Sequence, residues 1–211
     1  MIKETQKFFS LLGLAKSPLK EDGVLKQKYK NGKIKIIGNV INGYREGIWK
    51  FFFKNGKIYS YGKYNKSKKQ GQWIFHHTNG QIKQKEYYIE NIKNGHWTTY
   101  LENGNIIIDG HYKNGKKEGL FIEYYENGNI KIEKNYINGK KNKPDLWYAE
   151  DGLMKFEGMN EKDNENGKRT EYYNSYRIKS EAYFKNGKPT GIWFWYDEQH
   201  NIIQKKSYVN N

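Results

Sequence analysis

The chain has 211 residues, with 38 Lys and Arg against 23 Asp and Glu and a formal net charge of +15. It contains no cysteine, which excludes disulfides, zinc–thiolate sites, a thiol nucleophile and a lipoprotein anchor, and no apolar run approaches the ~20 residues of a membrane span. Mean hydropathy is −1.08 while aromatics make up 17% of residues, more than disordered chains carry, so a surface-rich fold around a thin aromatic seam is expected.

Taken in order, residues 1–22 open with MIKETQKFFSLLGLAKS. Its apolar stretch is short, Ser10 breaks it, and Glu4 stands where a signal peptide needs positive charge. A short amphipathic helix is predicted, with Phe8, Phe9 and Leu12 covering the first strand as a cap and Ser17-Pro18 ending it. The expected localisation is cytoplasmic, with secretion as the alternative.

From Gly23 a period of 24 residues runs through the chain, with units starting near 23, 47, 71, 95, 119, 143, 167 and 191. A glycine opens every unit except that at Lys143. Within the units Asn31-Gly32, Asn55-Gly56, Asn79-Gly80, Asn103-Gly104, Asn127-Gly128 and Asp151-Gly152 mark hairpin turns. Asn42-Gly43, Asn114-Gly115, Asn138-Gly139 and Asn186-Gly187 mark turns between units. Apolar residues fall in columns: Ile34, Ile58, Ile82, Ile106, Ile130, Met154, Ile178 and Ile202 in one; Phe52, His76, Tyr100, Tyr124, Tyr148, Tyr172 and Tyr196 in another; Trp49, Trp73, Trp97, Phe121 and Trp193 in a third; Tyr64, Tyr88, Tyr112, Tyr136, Phe184 and Tyr208 in a fourth. The predicted fold is all-β: an elongated single-layer antiparallel meander of about eight 24-residue β-hairpin repeats and about 16 strands over residues 23–211. A two-residue turn at Asn-Gly sets the Trp column on the face of the Ile column, and a three-residue loop with a bulge sets the Tyr column there; both readings stand.

The unit G-x-W-x-x-Y-x-x-N-G-x-I-x-x-x-G-x-Y-x-N-G-K-x-x-G resembles the bacterial variant of the MORN repeat, as found in proteins of the YwqK-like antitoxin family. The resemblance implies a curved sheet of hairpins acting as an interaction surface. Related eukaryotic repeats are linked to phospholipid binding, oligomerisation and membrane tethering, but their shorter Y-x-G-x-W glycine pattern is missing here.

No catalytic, cofactor-binding or metal-ligating residues are predicted. Glycines sit at turn spacing and form no phosphate-binding loop. His76 and His77 are adjacent on one strand and point apart; His96 and His111 become cross-strand neighbours if the turn has two residues, and otherwise simply fill variable columns. The sixth unit is acidic (Asp145, Glu150, Asp151, Glu157, Glu161, Asp163, Glu165), starts with Lys143-Pro144, moves its tryptophan to Trp147 and closes on Asn160, which reads as a drifted repeat, a partner contact or a hinge. Only Arg45, Arg169 and Arg177 are arginines, so the basic excess reads as solvated lysines guarding sheet edges, with a functional basic face as the other reading. Aromatics crowd both faces at Trp49, Phe51, Phe52 and Phe53 and at Trp193, Phe194, Trp195 and Tyr196. The partner-binding candidates are Trp49, Phe51, Phe53, Trp147, Trp193, Trp195 and Tyr196. The expected function is a non-enzymatic protein-binding scaffold, antitoxin- or immunity-like, masking an acidic partner such as a toxin. The alternative is anionic phospholipid or nucleic acid on the lysine-rich face, and self-association through the C-terminal edge is a further expectation.

Overall fold

The structure, a computed structural model, describes residues 21–158, 167–174 and 176–208. The expected helical cap, but for Glu21 and Asp22, lies outside the described residues, as do Asn160, Glu161, Asp163 and Glu165 of the acidic repeat. Among the described residues there are nineteen β-strands and no helix. The chain divides into two compact units, Met1–Gly80 with Tyr88–Ile92, and Gln81–Tyr87 with Lys93–Asn211.

The first unit holds β1 (Gly23–Lys28), β2 (Ile34–Ile41), β3 (Tyr44–Phe52), β4 (Ile58–Asn65) and β5 (Lys68–His76), each paired antiparallel with the next. β6 (Ile82–Ile89) gives Tyr88 and Ile89 to this unit and its other residues to the second. Then follow β7 (Ile92–Lys93), β8 (Gly95–Tyr100), β9 (Ile106–Lys113), β10 (Lys116–Lys117), β11 (Gly119–Tyr124), β12 (Ile130–Ile137), β13 (Lys140–Lys141), β14 (Asp145–Tyr148), β15 (Met154–Gly158), β16 (Gly167–Asn174), β17 (Arg177–Lys185), β18 (Lys188–Tyr196) and β19 (Ile202–Tyr208). They too form an antiparallel meander. Nineteen strands stand where about sixteen were expected because β7, β10 and β13 are two-residue pieces set off by short breaks before β8, β11 and β14. At each break the backbone stays bonded to a preceding strand, Asn94 N–H donating to Tyr87 O (2.9 Å), Glu118 N–H to His111 O (2.9 Å) and Asn142 N–H to Asn135 O (3.1 Å).

The same Asn-Gly dipeptide makes two different turns. Between repeats, Asn42 and Gly43 both take positive φ (50° and 74°) and Ile41 pairs with Tyr44, the two-residue type I′ turn. Within repeats only the glycine is left-handed, as at Gly104 (φ 92°). There Leu101 N–H donates to Asn105 O (2.8 Å), Gly104 N–H donates to Leu101 O (3.0 Å), and Asn103 Oδ1 accepts from Asn105 N–H (2.9 Å). That is a three-residue loop with a glycine bulge, so Tyr100 pairs with Ile106 and the Tyr column lies opposite the Ile column. A second bulge follows between Thr99 and Tyr100 and restores the two-residue register further out, where His96 pairs with His111. Each of the two sequence alternatives holds for part of the hairpin.

The core is a seam on one face of each unit. In the first it consists of Ile36, Val40, Trp49, Tyr64, Trp73 and Tyr88, with Leu25, Phe51 and Phe75 against it. A single layer can bury indoles because strand glycines make room for them. A Cβ on Gly38 would meet Trp49 at 2.2 Å, one on Gly62 would meet Trp73 at 2.3 Å, and one on Gly110 would meet Phe121 at 2.4 Å. Trp49 and Trp73 are accordingly 1% and 2% exposed. Each indole N–H closes the arrangement by donating to the carbonyl after its glycine, Trp49 to Asn39 (3.1 Å) and Trp73 to Lys63 (3.3 Å).

Candidate partner-binding surface

One further column completes the seam, and its residues had read as solvated bases. Arg45 lies over Trp49 (4.8 Å) and Tyr64 (5.3 Å), and Lys69 lies over Trp73 (4.4 Å), Phe75 (5.4 Å) and Tyr88 (4.6 Å). In the second unit Lys93 lies over Trp97 and Tyr112, and Lys117 over Phe121 and Tyr136. A cation thus precedes each seam aromatic by four residues and packs between it and the closing tyrosine. Burial, with Lys134 nearby, pushes the Lys117 ammonium below its ordinary range. The column is the residue after the Lys of N-G-K-x-x-G, a position the motif leaves variable, as Lys117 follows Lys116, so composition alone does not separate it from surface lysine.

Substitutions break the seam rule in the second unit. Asp145 occupies the Trp column, fully buried, and pairs with Lys141 of the cation column at 2.9 Å: an ion pair replaces a cation–π contact. Arg169 occupies the same column one repeat on, packed against Gly158, with its guanidinium over Phe156 (4.7 Å) and bonded to Glu171 (3.0 Å). Where indoles are missing, space opens. A cavity of about 120 Å³ is lined by Arg169, Glu171, Ser180, Ala182, Trp193 and Trp195, among others. On the opposite face a cavity of about 560 Å³ is lined by residues including Lys143, Pro144, Glu157, Lys168 and Tyr172.

The seven predicted aromatics do not form one site. Trp49 is buried in the first unit's seam. Phe51 is half-buried against Trp73 (6.1 Å between centroids), and Phe53 is half-buried against Tyr59 (5.1 Å). Trp147 stacks on Phe156 at 5.1 Å with an interplanar angle of 17°. Trp193 and Trp195 come together (6.0 Å) at the smaller cavity, both half-buried. Tyr196 is on the other face, its hydroxyl donating to Glu181 (3.1 Å).

That last contact belongs to a row the sequence reading missed. Tyr148 Oη donates to Glu133 (3.3 Å) and Tyr172 Oη to Glu157 (3.4 Å), each pair 15 residues apart like Tyr196 and Glu181. Burial first, then these carboxylates, raise the phenol pKa values of all three tyrosines. His96 and His111 are direct cross-strand partners, with His96 Nε2 2.7 Å from Asp109 Oδ1 and the Thr98 hydroxyl donating to the same oxygen at 2.9 Å. Among the described residues no group of three or more His, Asp or Glu is placed to hold a metal ion.

Comparisons with known proteins sort by strength. No curated protein matches the chain. Two solved structures with partial likeness are both of TarM, one of them an S. aureus TarM mutant in complex with fondaparinux, alpha-GlcNAc-glycerol and UDP. Their TM-scores are 0.34 and 0.33 at 15% identity over 66% of this chain. This chain spans 23% of the length of TarM, and a likeness that slight carries no argument. The model of the MORN repeat variant, in contrast, matches five consecutive segments: residues 21–42, 45–66, 69–90, 93–114 and 117–138. Their shared hairpin, seam and cation column cover just over half of the sequence, and the chain belongs to the MORN repeat variant family.

Proposed function

We propose that this protein is a non-enzymatic scaffold that binds another protein through the second unit, where the repeat departs from its own packing rule. Repeats of this family are generally protein- or membrane-binding modules. The observation that carries the reading is the pair Trp193 and Trp195, half-buried beside the cavity that also holds Arg169 and Glu171. Aromatics with an arginine at a partly desolvated depression are the composition of an interface hot spot. In this reading residues 1–22 cap the array and residues 143–211 are three further, drifted repeats, making eight. The setting is cytoplasmic, and the role is antitoxin- or immunity-like masking of a partner, with self-association through β19 as a possible mode of assembly. Affinity purification with the wild type and with Trp195→Ala tests it. A stoichiometric partner lost with the variant but kept with an exposed substitution such as Leu120→Ser is the expected result, and a partner held equally by both variants sinks it.

A second reading rests on the first unit, which has thirteen basic residues against four acidic among its described positions. On the face away from its seam, Val24, Ile41, Tyr44 and Ile48 are exposed among Lys26, Lys50 and Lys63. Apolar side chains ringed by lysine suit an anionic phospholipid surface, and the same lysines suit nucleic-acid phosphates. Flotation with anionic vesicles and mobility shift with duplex DNA at low salt decide it; absence of both ends this reading.

A further inference from the structure

The aromatic cage around Lys69 has a counterpart in which the cation is missing from the sequence. Lys69 is enclosed by Trp73, Phe75 and Tyr88. Advanced by five repeats, the same positions are Pro189 in place of the lysine, and Trp193, Trp195 and Tyr208 in place of the rings. The walls are kept. Trp73 and Phe75 stand 6.3 Å apart at 34°, and Trp193 and Trp195 stand 6.0 Å apart at 49°. Phe184 packs on Trp193 from the preceding strand at 5.1 Å. The Trp193 N–H donates to Tyr183 O (3.0 Å), the bond that Trp49 and Trp73 make in their own repeats, so the indole is held in the seam orientation.

What differs is the angle between the first and last walls. Where a cation packs between them the rings meet edge to face, at 85° for Trp49 and Tyr64 and 84° for Trp97 and Tyr112, 6.0 and 5.9 Å apart. Phe121 and Tyr136, with Lys117 over both, also meet edge to face, at 77° and 5.2 Å, whereas Trp193 and Tyr208 are at 47° and 4.7 Å. Among the described residues, Lys206 lies over Tyr208 (4.9 Å) and no cation lies over Trp193. Arg169, also at this cavity, is engaged by Glu171 and lies over Phe156.

We propose that Trp193, Trp195 and Tyr208 form a receptor for a cationic side chain, arginine or lysine, presented by the partner protein. The site rests on the reading that a protein binds here, and it gives that protein's anchor a chemistry. Four earlier repeats show which group the ring pair accepts, since each fills it from its own strand. Proline at 189 cannot supply that group and, with φ fixed, keeps the strand in place while leaving the rings to another molecule. Arginine is favoured because its guanidinium is planar and weakly hydrated. Glu171 at this cavity is paired with Arg169 (3.0 Å), so the rings supply the attraction.

The test uses the full chain and acetyl-arginine amide as probe, with acetyl-norleucine amide as the uncharged control, read by the indole N–H resonances. Trp193 and Trp195 are expected to shift with the arginine amide at least five-fold more than with norleucine amide. Pro189→Arg, which refills the cage internally as Lys69 does, is expected to abolish the shift. Equal responses to the two amides, or an undiminished response in folded Pro189→Arg, overturn the proposal. If that variant does not fold, the wild-type comparison of the two amides still decides. Partner capture separates the two layers: a partner retained by Trp195→Ala refutes the binding reading even if the amide binds, whereas a partner lost with Trp195→Ala but retained by folded Pro189→Arg refutes only the cation.

Discussion

The indole of Trp73 lies so close across Gly62 that a single added methyl group would sit 2.3 Å from the ring. Gly62 is thus a packing residue, and Gly62→Ala is expected to lift the indole and break its bond to Lys63 O. The expected cost is about 1–3 kcal/mol, the range for overfilling a well-packed site. Thermal unfolding and a red-shifted tryptophan emission measure it; unchanged values for both would show that the indole is not confined.

Asp145 is buried with Lys141, which is itself only 12% exposed. Asp145→Ala removes the carboxylate paired with that buried ammonium and is expected to destabilise by about 3–5 kcal/mol. The double variant Asp145→Leu with Lys141→Met is expected to recover most of the loss, because an apolar pair of similar bulk removes the desolvation cost along with the attraction. Denaturant titration of the two variants measures both effects.

Alkali should unfold the protein through its tyrosines. Tyr64, Tyr112, Tyr124, Tyr148 and Tyr172 all have raised pKa values, burial being the largest cause in each. A phenol raised in the fold favours its neutral form there, so this stability is complete below the ordinary pKa of about 10 and is lost as pH rises through the folded values. Lys117, lowered by burial, works in the opposite direction but is outnumbered by the raised tyrosines. Phenolate absorbance recorded alongside circular dichroism should show these tyrosines ionising only as the sheet melts.

Acid should act at His76. Its ring stacks on Tyr61 (5.9 Å, 25°), its Nδ1 has no hydrogen-bond partner among the described residues, and burial lowers its pKa despite a raising bond at Tyr59. The neutral ring is favoured in the fold, so this contribution is present above the ordinary value of about 6.5 and is lost as pH falls below it. His76→Tyr, which restores the residue type of later repeats, is expected to flatten the stability profile between neutrality and mild acid. A variant that follows the wild-type profile would place the sensitivity elsewhere.

The period of 24, the hairpins and the aromatic columns were legible in the sequence because turns and alternation are local. A left-handed glycine and an alternating strand need only a few neighbouring residues to be recognised, and repetition multiplies the signal. Even the ambiguity over loop length was local: Asn103-Gly104 and Asn114-Gly115 are the same dipeptide, and the flanking bulges separate a three-residue loop from a type I′ turn. Lysine was read less well. Lys69 and Lys117 look like any surface base until their rings are in place, and Tyr148 declares nothing about Glu133 from 15 residues away.

The sequence by itself determined the family, the all-β class and the breaks of the sixth repeat, at Lys143-Pro144 and Trp147. Only the tertiary structure decided what those breaks do. Whether a tryptophan is core, like Trp49 on Gly38, or half-buried, like Trp193, depends on which strand lies across it. Those are relations between residues brought together by pairing, and a column of letters does not contain them.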